Sequence, residues 1–265
     1  MEFEKFTCQK PVLVLLPGFC EAGFIWEPVM DALEHYFQVI SLDLPGFGSE
    51  ACIWKASVQA YACFVREELV QRDIHQCVMV GHSMGGYIAL AYAKLFGDTL
   101  LGLGLFHSTS FSDSEKKQKE REKMISFLQK FGNHRLVHAQ FAHRFSKQFQ
   151  TTQKELIQKI SKKAWEISGE EAMVTALQAM AEREESLTFL KSWSRPVMYL
   201  SGKEDRAVPW QRNQEEILQL TTAHMVILEQ SGHFGMWEAP EKSVRAIVGF
   251  VKCCYRKEQQ RQRVT

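Results

Sequence analysis

Short apolar runs recur in the first and last parts of the chain and are missing from its middle. Val12–Leu16, Val39–Leu42, Cys77–Val80 and Leu101–Phe106 are brief, apolar and bounded by Gly, Pro or Asp, which is the pattern of buried strands. Val197–Leu200 and Met225–Leu228 repeat it. Between these runs the apolar positions fall at helical spacing. Trp26, Val29, Met30 and Leu33 share one face, as do Tyr61, Phe64, Val65 and Leu69. Further helices are predicted near Gln211–Leu220 and Glu241–Cys253, with a charged tail fraying after Tyr255. Strands alternating with helices build βαβ units and a parallel sheet. A sheet covered on both faces explains strands that are apolar throughout.

The middle, from Thr109 to Ser194, has no strand pattern. It is rich in Lys, Glu, Gln and Phe and reads as several helices, with breaks at Gly132-Asn133 and Ser168-Gly169. The predicted fold class is therefore α/β: a mostly parallel central sheet of about six strands flanked by helices. A helical lid is inserted after the fourth visible strand. The core is expected over 1–108 and 195–265, and the lid over 109–194.

Composition narrows the class. Apolar residues make up 45% and charged residues 24%, as in an average globular protein, so a sizeable core is available. A formal net charge of +1 gives no case for nucleic acid or acidic membranes. No apolar run approaches the roughly 18 residues that span a bilayer, so no membrane insertion is expected. Met1 to Phe6 lack the layout of a signal peptide. The seven cysteines are odd in number and form no C-x-x-C pair. That usage points to free thiols in a reducing compartment and to a cytoplasmic protein.

The sharpest chemical feature is Gly81-His82-Ser83-Met84-Gly85-Gly86. It contains G-x-S-x-G, follows a predicted strand and opens a predicted helix. A serine on so tight a turn holds a strained backbone, and Gly81 and Gly85 leave room for it. The turn pushes the hydroxyl out at the carboxyl end of the sheet, where open α/β sheets bind ligands. Serine alone is a poor nucleophile and needs a base with a carboxylate behind it. Asp205 follows the strand ending at Leu200, and His233 follows the strand ending near Leu228. Both loops lie at the same sheet edge as Ser83, in the order Ser…Asp…His expected of this architecture. Ser83, Asp205 and His233 are the predicted catalytic residues.

Other candidates fit less well. Glu204 comes one position early in its loop, Asp43 precedes a Pro-Gly turn and is read as bonded to it, and Asp113 is read as an N-cap. His82 adjoins Ser83 and is expected to point away from it. His107 ends a strand and is expected to line the substrate pocket with Phe19 and Phe234. Acyl transfer places negative charge on a carbonyl oxygen, which backbone N–H groups hold. Met84 is one predicted donor. Phe19 is the other, because it follows Pro17-Gly18 in the loop after the first strand and Pro17 has no N–H. Most of the lid phenylalanines Phe127, Phe131, Phe141, Phe145 and Phe149 read as inner faces of helices, with an apolar acyl pocket as the alternative. A slight basic excess between Phe111 and Lys191 reads chiefly as solvated surface, with an anionic substrate as the alternative.

Pro17-Gly18-Phe19 with Trp26 downstream, Asp43-Leu44-Pro45-Gly46-Phe47-Gly48, Gly81 to Gly86, Gly202 to Asp205 and Gly232-His233 to Glu238 occur together. In these motifs the chain resembles the small lidded serine hydrolases of the α/β-hydrolase fold: esterases, enol-lactonases and C–C hydrolases. The resemblance covers nearly the whole chain. It implies the triad and the oxyanion donors already named. The chain departs from the pattern at Pro17, where members usually carry a His that braces the oxyanion loop. The leading hairpin of the fold is expected to be reduced over residues 1–10. The implied activity is cleavage of a carboxylic ester or related small acyl substrate, with no metal and no cofactor. A lactone or C–C hydrolase on the same triad is the alternative, as is a non-catalytic ligand-binding receptor on the same fold. Substrate identity and oligomeric state are not legible in one sequence.

Overall fold

The structure, a computed structural model, describes residues 10–52 and 57–263. The expectations for the signal-peptide region, the leading hairpin and Cys8 fall on 1–9, outside the described residues. Six strands form one sheet: β1 Val12–Leu16, β2 Gln38–Ser41, β3 Cys77–His82, β4 Leu100–Phe106, β5 Val197–Gly202 and β6 Ala223–Leu228. Their order is β2-β1-β3-β4-β5-β6, and every pairing is parallel. The chain runs outward from β1 to β2, then crosses back to β3. The order thus reverses between β1 and β3, where Val14 pairs with Met79. A crevice opens at the carboxyl ends of strands at such a reversal.

The helices are α1 Glu27–Glu34, α2 Val58–Gln71, α3 Met84–Phe96, α4 Glu115–Phe131, α5 Asn133–Gln140 and α6 Lys147–Thr152. They continue with α7 Lys154–Glu166, α8 Glu170–Glu182, α9 Leu187–Ser192, α10 Trp210–Ile217, α11 Gly235–Glu238 and α12 Pro240–Gln262. The central strands β3, β4 and β5 are buried along their whole length. Helix α3 follows β3 and is buried from Met84 to Ala93, which accounts for its near-continuous apolar sequence.

Helices α4 to α9 are all inserted between β4 and β5. One device ties the start of the insertion to the core, and a second closes the insertion on itself. Glu216 on α10 accepts from Thr109 Oγ1, from Ser110 N at 2.9 Å and from Tyr199 OH at 2.7 Å, all buried. Asp113 sits between Arg121 of α4 and Arg183 beyond α8, the latter at 2.7 Å. The expected N-cap role of Asp113 is corrected: Ser114 caps α4, accepting from Lys117 N at 3.3 Å. The expected breaks match Gly132, with φ +81° between α4 and α5, and Gly169 at the start of α8. Asp43 bonds its turn as expected, joining Gly23 N at 2.7 Å to Ser49 N at 3.3 Å.

The tail differs from expectation. Helix α12 continues past Tyr255 to Gln262, because its charged residues find partners. Arg195 lies 3.4 Å from Glu258, and Arg261 donates to Ser194 O at 3.0 Å. Cys20, Cys63, Cys77, Cys253 and Cys254 are free thiols. Cys20 and Cys77 are buried, and burial pushes both thiols up to about 12. Among the described residues no helix is long and apolar enough to cross a membrane.

Candidate active site

Ser83 sits between the end of β3 and the start of α3 with φ +50° and ψ −114°. A non-glycine residue there is strained, and such strain persists only where the surroundings impose it. Here they do. Ser83 N donates to Phe106 O at 2.9 Å, and Ser83 O accepts from Gly86 N at 3.0 Å and Ser108 Oγ at 2.8 Å. A Cβ on Gly81 would collide with the backbone of Gly85, and one on Gly85 with that of Leu16 and Pro17. The glycines are therefore required by close backbone approach on both sides of the serine.

Asp205 and His233 come from the loops after β5 and β6. His233 Nδ1 lies 2.7 Å from Asp205 Oδ2, and both side chains are buried. Asp205 is saturated with donors. Its Oδ1 accepts from Ala207 N at 2.8 Å and Val208 N at 3.0 Å. Burial alone would raise the Asp205 carboxyl. The charge of His233 and hydrogen bonds from His107 and His233 outweigh it and hold the carboxyl well below the usual carboxylate range. Burial pushes His233 down to about 4, against the opposing pull of Asp205. At neutral pH the pair is thus a carboxylate beside a neutral imidazole, with the Nδ1 proton on the carboxylate side. Ser83 and His233 line one cavity of about 310 Å³, together with Phe19, Tyr87, Arg144 and Arg206. The N–H groups of Phe19 and Met84 are engaged by no hydrogen bond among the described residues.

The pocket expectation is corrected in two of its three residues. Phe19 lines the cavity. His107 and Phe234 are both 0% exposed and do not line it. Phe234 packs between Phe141 at 4.9 Å and Phe145 at 4.5 Å, joining the insertion to the sheet edge. His107 has φ +49°, which turns its ring under the sheet edge. Its Nδ1 lies 3.0 Å from Asp205 Oδ2, and its Nε2 accepts from Gly235 N at 3.0 Å. Gly202 N also lies 3.2 Å from Nδ1. A neutral ring has one proton, and placing it on Nδ1 satisfies both Asp205 and Gly235, whereas placing it on Nε2 satisfies only Gly202. His107 therefore donates to Asp205. His107, Asp205 and His233 bring three possible metal-ligand atoms within 4.8 Å of one another, but a protonated Nδ1 on His107 cannot ligate, and the donor set does not fit a metal ion.

Sequence reasoning missed one buried pair. Glu21 and His82 are both fully buried, with His82 Nδ1 2.7 Å from Glu21 Oε2. The same Oε2 accepts from Gly18 N at 2.7 Å, and His82 Nε2 lies 2.7 Å from His233 O. A carbonyl can only accept, so Nε2 carries a proton. For the Nδ1 contact to be a hydrogen bond, a second proton must sit between His82 and Glu21. The pair ties the loop after β1, the residue before Ser83 and the backbone of His233 into one unit. It braces the loop where Pro17 cannot. The sequence signal was a lone acid, Glu21, in a run otherwise without charged residues from Val12 to Trp26.

The sheet order, the strained serine turn and the helical insertion define an α/β-hydrolase enzyme. The family model described as "Alpha/beta hydrolase family" matches residues 13–246, and the chain belongs to that family. Among its relatives is the biotin biosynthesis bifunctional protein BioHC of Cellvibrio japonicus, 24% identical over 245 residues; the match covers 91% of this chain and 47% of that longer protein. A pimeloyl-acyl-carrier-protein methyl ester esterase of Vibrio vulnificus is 25% identical over 260 residues, covering 91% of this chain and 94% of its own. Among solved structures, a thermophilic esterase from Thermogutta terrifontis superposes with a TM-score of 0.87 at 25% identity, covering 93% of this chain and 91% of that one.

Proposed function

We propose that the chain is a serine esterase cleaving a small carboxylic ester or related acyl compound through an acyl-enzyme. One observation carries the reading: a strained Ser83 opens on the same cavity as His233, whose far nitrogen is bonded to a buried carboxylate. His233 Nε2 takes the proton of Ser83 as its oxygen attacks the acyl carbon. The negative charge that builds on the carbonyl oxygen is held by the N–H groups of Phe19 and Met84. His233 then protonates the leaving alcohol and activates the water that frees the acid. Asp205 fixes the tautomer of His233 and stabilises the imidazolium formed in each half-reaction. The chemistry needs no metal and no cofactor. The esterase names of the relatives agree with this reaction class.

A fluorophosphonate probe tests the reading. Wild-type protein should be labelled, and Ser83→Ala should not. Turnover of short-chain aryl esters should vanish in both Ser83→Ala and His233→Ala. Equal labelling of wild type and Ser83→Ala would overturn the assignment, and ester turnover surviving in both variants would overturn the triad.

A further inference from the structure

The cavity above Ser83 is not electrically neutral. Lys117, Arg121, Arg144 and Arg206 line it against one carboxylate, Glu120. Two of the cations are already answered: Lys117 Nζ lies 3.4 Å from Glu120, and Arg121 is held by Asp113. Arg144 and Arg206 meet no carboxylate among the described residues.

Both arginines are anchored beside the reacting groups by their own backbone. Arg144 O accepts from His233 N at 2.7 Å. Arg206 directly follows Asp205, in the turn whose next two N–H groups bond that carboxylate. Neither Cα can move away from Ser83 without disturbing the Asp205–His233 pair. Arg144 is half-buried and Arg206 exposed at the cavity wall, so both guanidinium groups are within reach of an anion that enters the cavity. Their planar fork suits carboxylate and phosphate oxygens. The cavity, at about 310 Å³, is at the small end for ligand sites, which favours a short substrate.

We propose that the substrate of the Ser83 site carries an anionic group, a carboxylate or a phosphate, remote from the scissile acyl bond and held by Arg144 and Arg206. This rests on the hydrolase reading above, and its test is built to fail separately. Mono-4-nitrophenyl glutarate and 4-nitrophenyl pentanoate match in chain length and differ in one terminal charge. At low ionic strength wild type should favour the glutarate ester by about tenfold in kcat/KM, and salt should erode the preference. The double variant Arg144→Gln/Arg206→Gln, with its fold checked by thermal melting, should bring the ratio near one. The double Lys variant should restore part of it. Calorimetry with glutarate and with inorganic phosphate separates the two anions, whichever binds in an Arg-dependent way being the class recognised. The proposal is overturned if wild type shows no preference and binds neither anion, or if the Gln variant keeps the preference. If folded wild type hydrolyses neither ester, the hydrolase reading fails, and loss of anion binding in the Gln variant still decides the arginine site.

Discussion

Replacing Glu21 tests whether the buried Glu21–His82 pair sets the oxyanion loop. The pair has no exposure to solvent, so screening does not soften the change. Glu21→Ala removes the acceptor of Gly18 N–H and the partner of His82 Nδ1, both at 2.7 Å. Each buried polar group left without a partner costs about 1–3 kcal/mol, so the two together cost about 4 kcal/mol. Glu21→Gln keeps an oxygen for Gly18 N–H and loses only the proton shared with His82. Its cost should be about 1–2 kcal/mol, the difference between a charge-assisted and an ordinary hydrogen bond.

The rates should follow the same order. Gly18 N–H is one peptide away from the Phe19 donor, so freeing it lets the Gly18–Phe19 peptide turn. Loss of one oxyanion donor costs about 10²–10³ in kcat. Glu21→Ala should approach that loss with KM little changed, and Glu21→Gln should fall about tenfold or less. The assay is urea denaturation alongside steady-state hydrolysis of a short aryl ester. A folded Glu21→Ala with kcat within about threefold of wild type would refute the bracing role, since the oxyanion donor would then be held without Glu21.

Other predictions follow from the same contacts. His233 must be neutral to act as base, and burial sets it at about 4, so kcat/KM should be lost on acidification only below the ordinary histidine value of about 6.5; an acid limb at or above 6.5 in a pH–rate profile would contradict the burial argument. His107→Phe removes the donor to Asp205 Oδ2 and leaves that carboxylate a stronger partner for the protonated form of His233, so the acid limb should move upward, a shift that a merely structural role for His107 would not produce. Asp113→Asn leaves two buried arginines without a counter-charge and should cost about 3–5 kcal/mol in urea denaturation at pH 7. Burial tends to raise the Asp113 carboxyl, but Arg121 and Arg183 bring it below its ordinary value. Its contribution is therefore present above an unfolded value of about 3.9 and lost as pH falls through the lower folded one. The gap between wild type and Asp113→Asn should narrow below about pH 4, and a gap independent of pH would count against the linkage.

The positions of Ser83, Asp205 and His233 were legible because each follows an apolar run that can only be a buried strand, and strand ends in a parallel sheet share one edge. That logic places Cα atoms and does not aim side chains. His107 also ends a strand, yet φ +49° swings its ring under Asp205, into space that a Cβ on Gly235 would fill. Phe234 follows His233 by one residue and faces the opposite way, into Phe141 and Phe145 of the insertion. The basic excess of the insertion was legible, but which cations meet around Ser83 was hidden for a related reason. Lys117, Arg144 and Arg206 lie far apart in the chain, and in sequence each belongs to a solvated polar face. Only the folding of the insertion over the sheet edge turns those separate faces toward Ser83. Periodicity reports which residues share an element; it carries no record of which polar faces meet across elements. The proposed reactive groups are thus written in strand order, whereas the charge gathered around Ser83 arises from packing between segments.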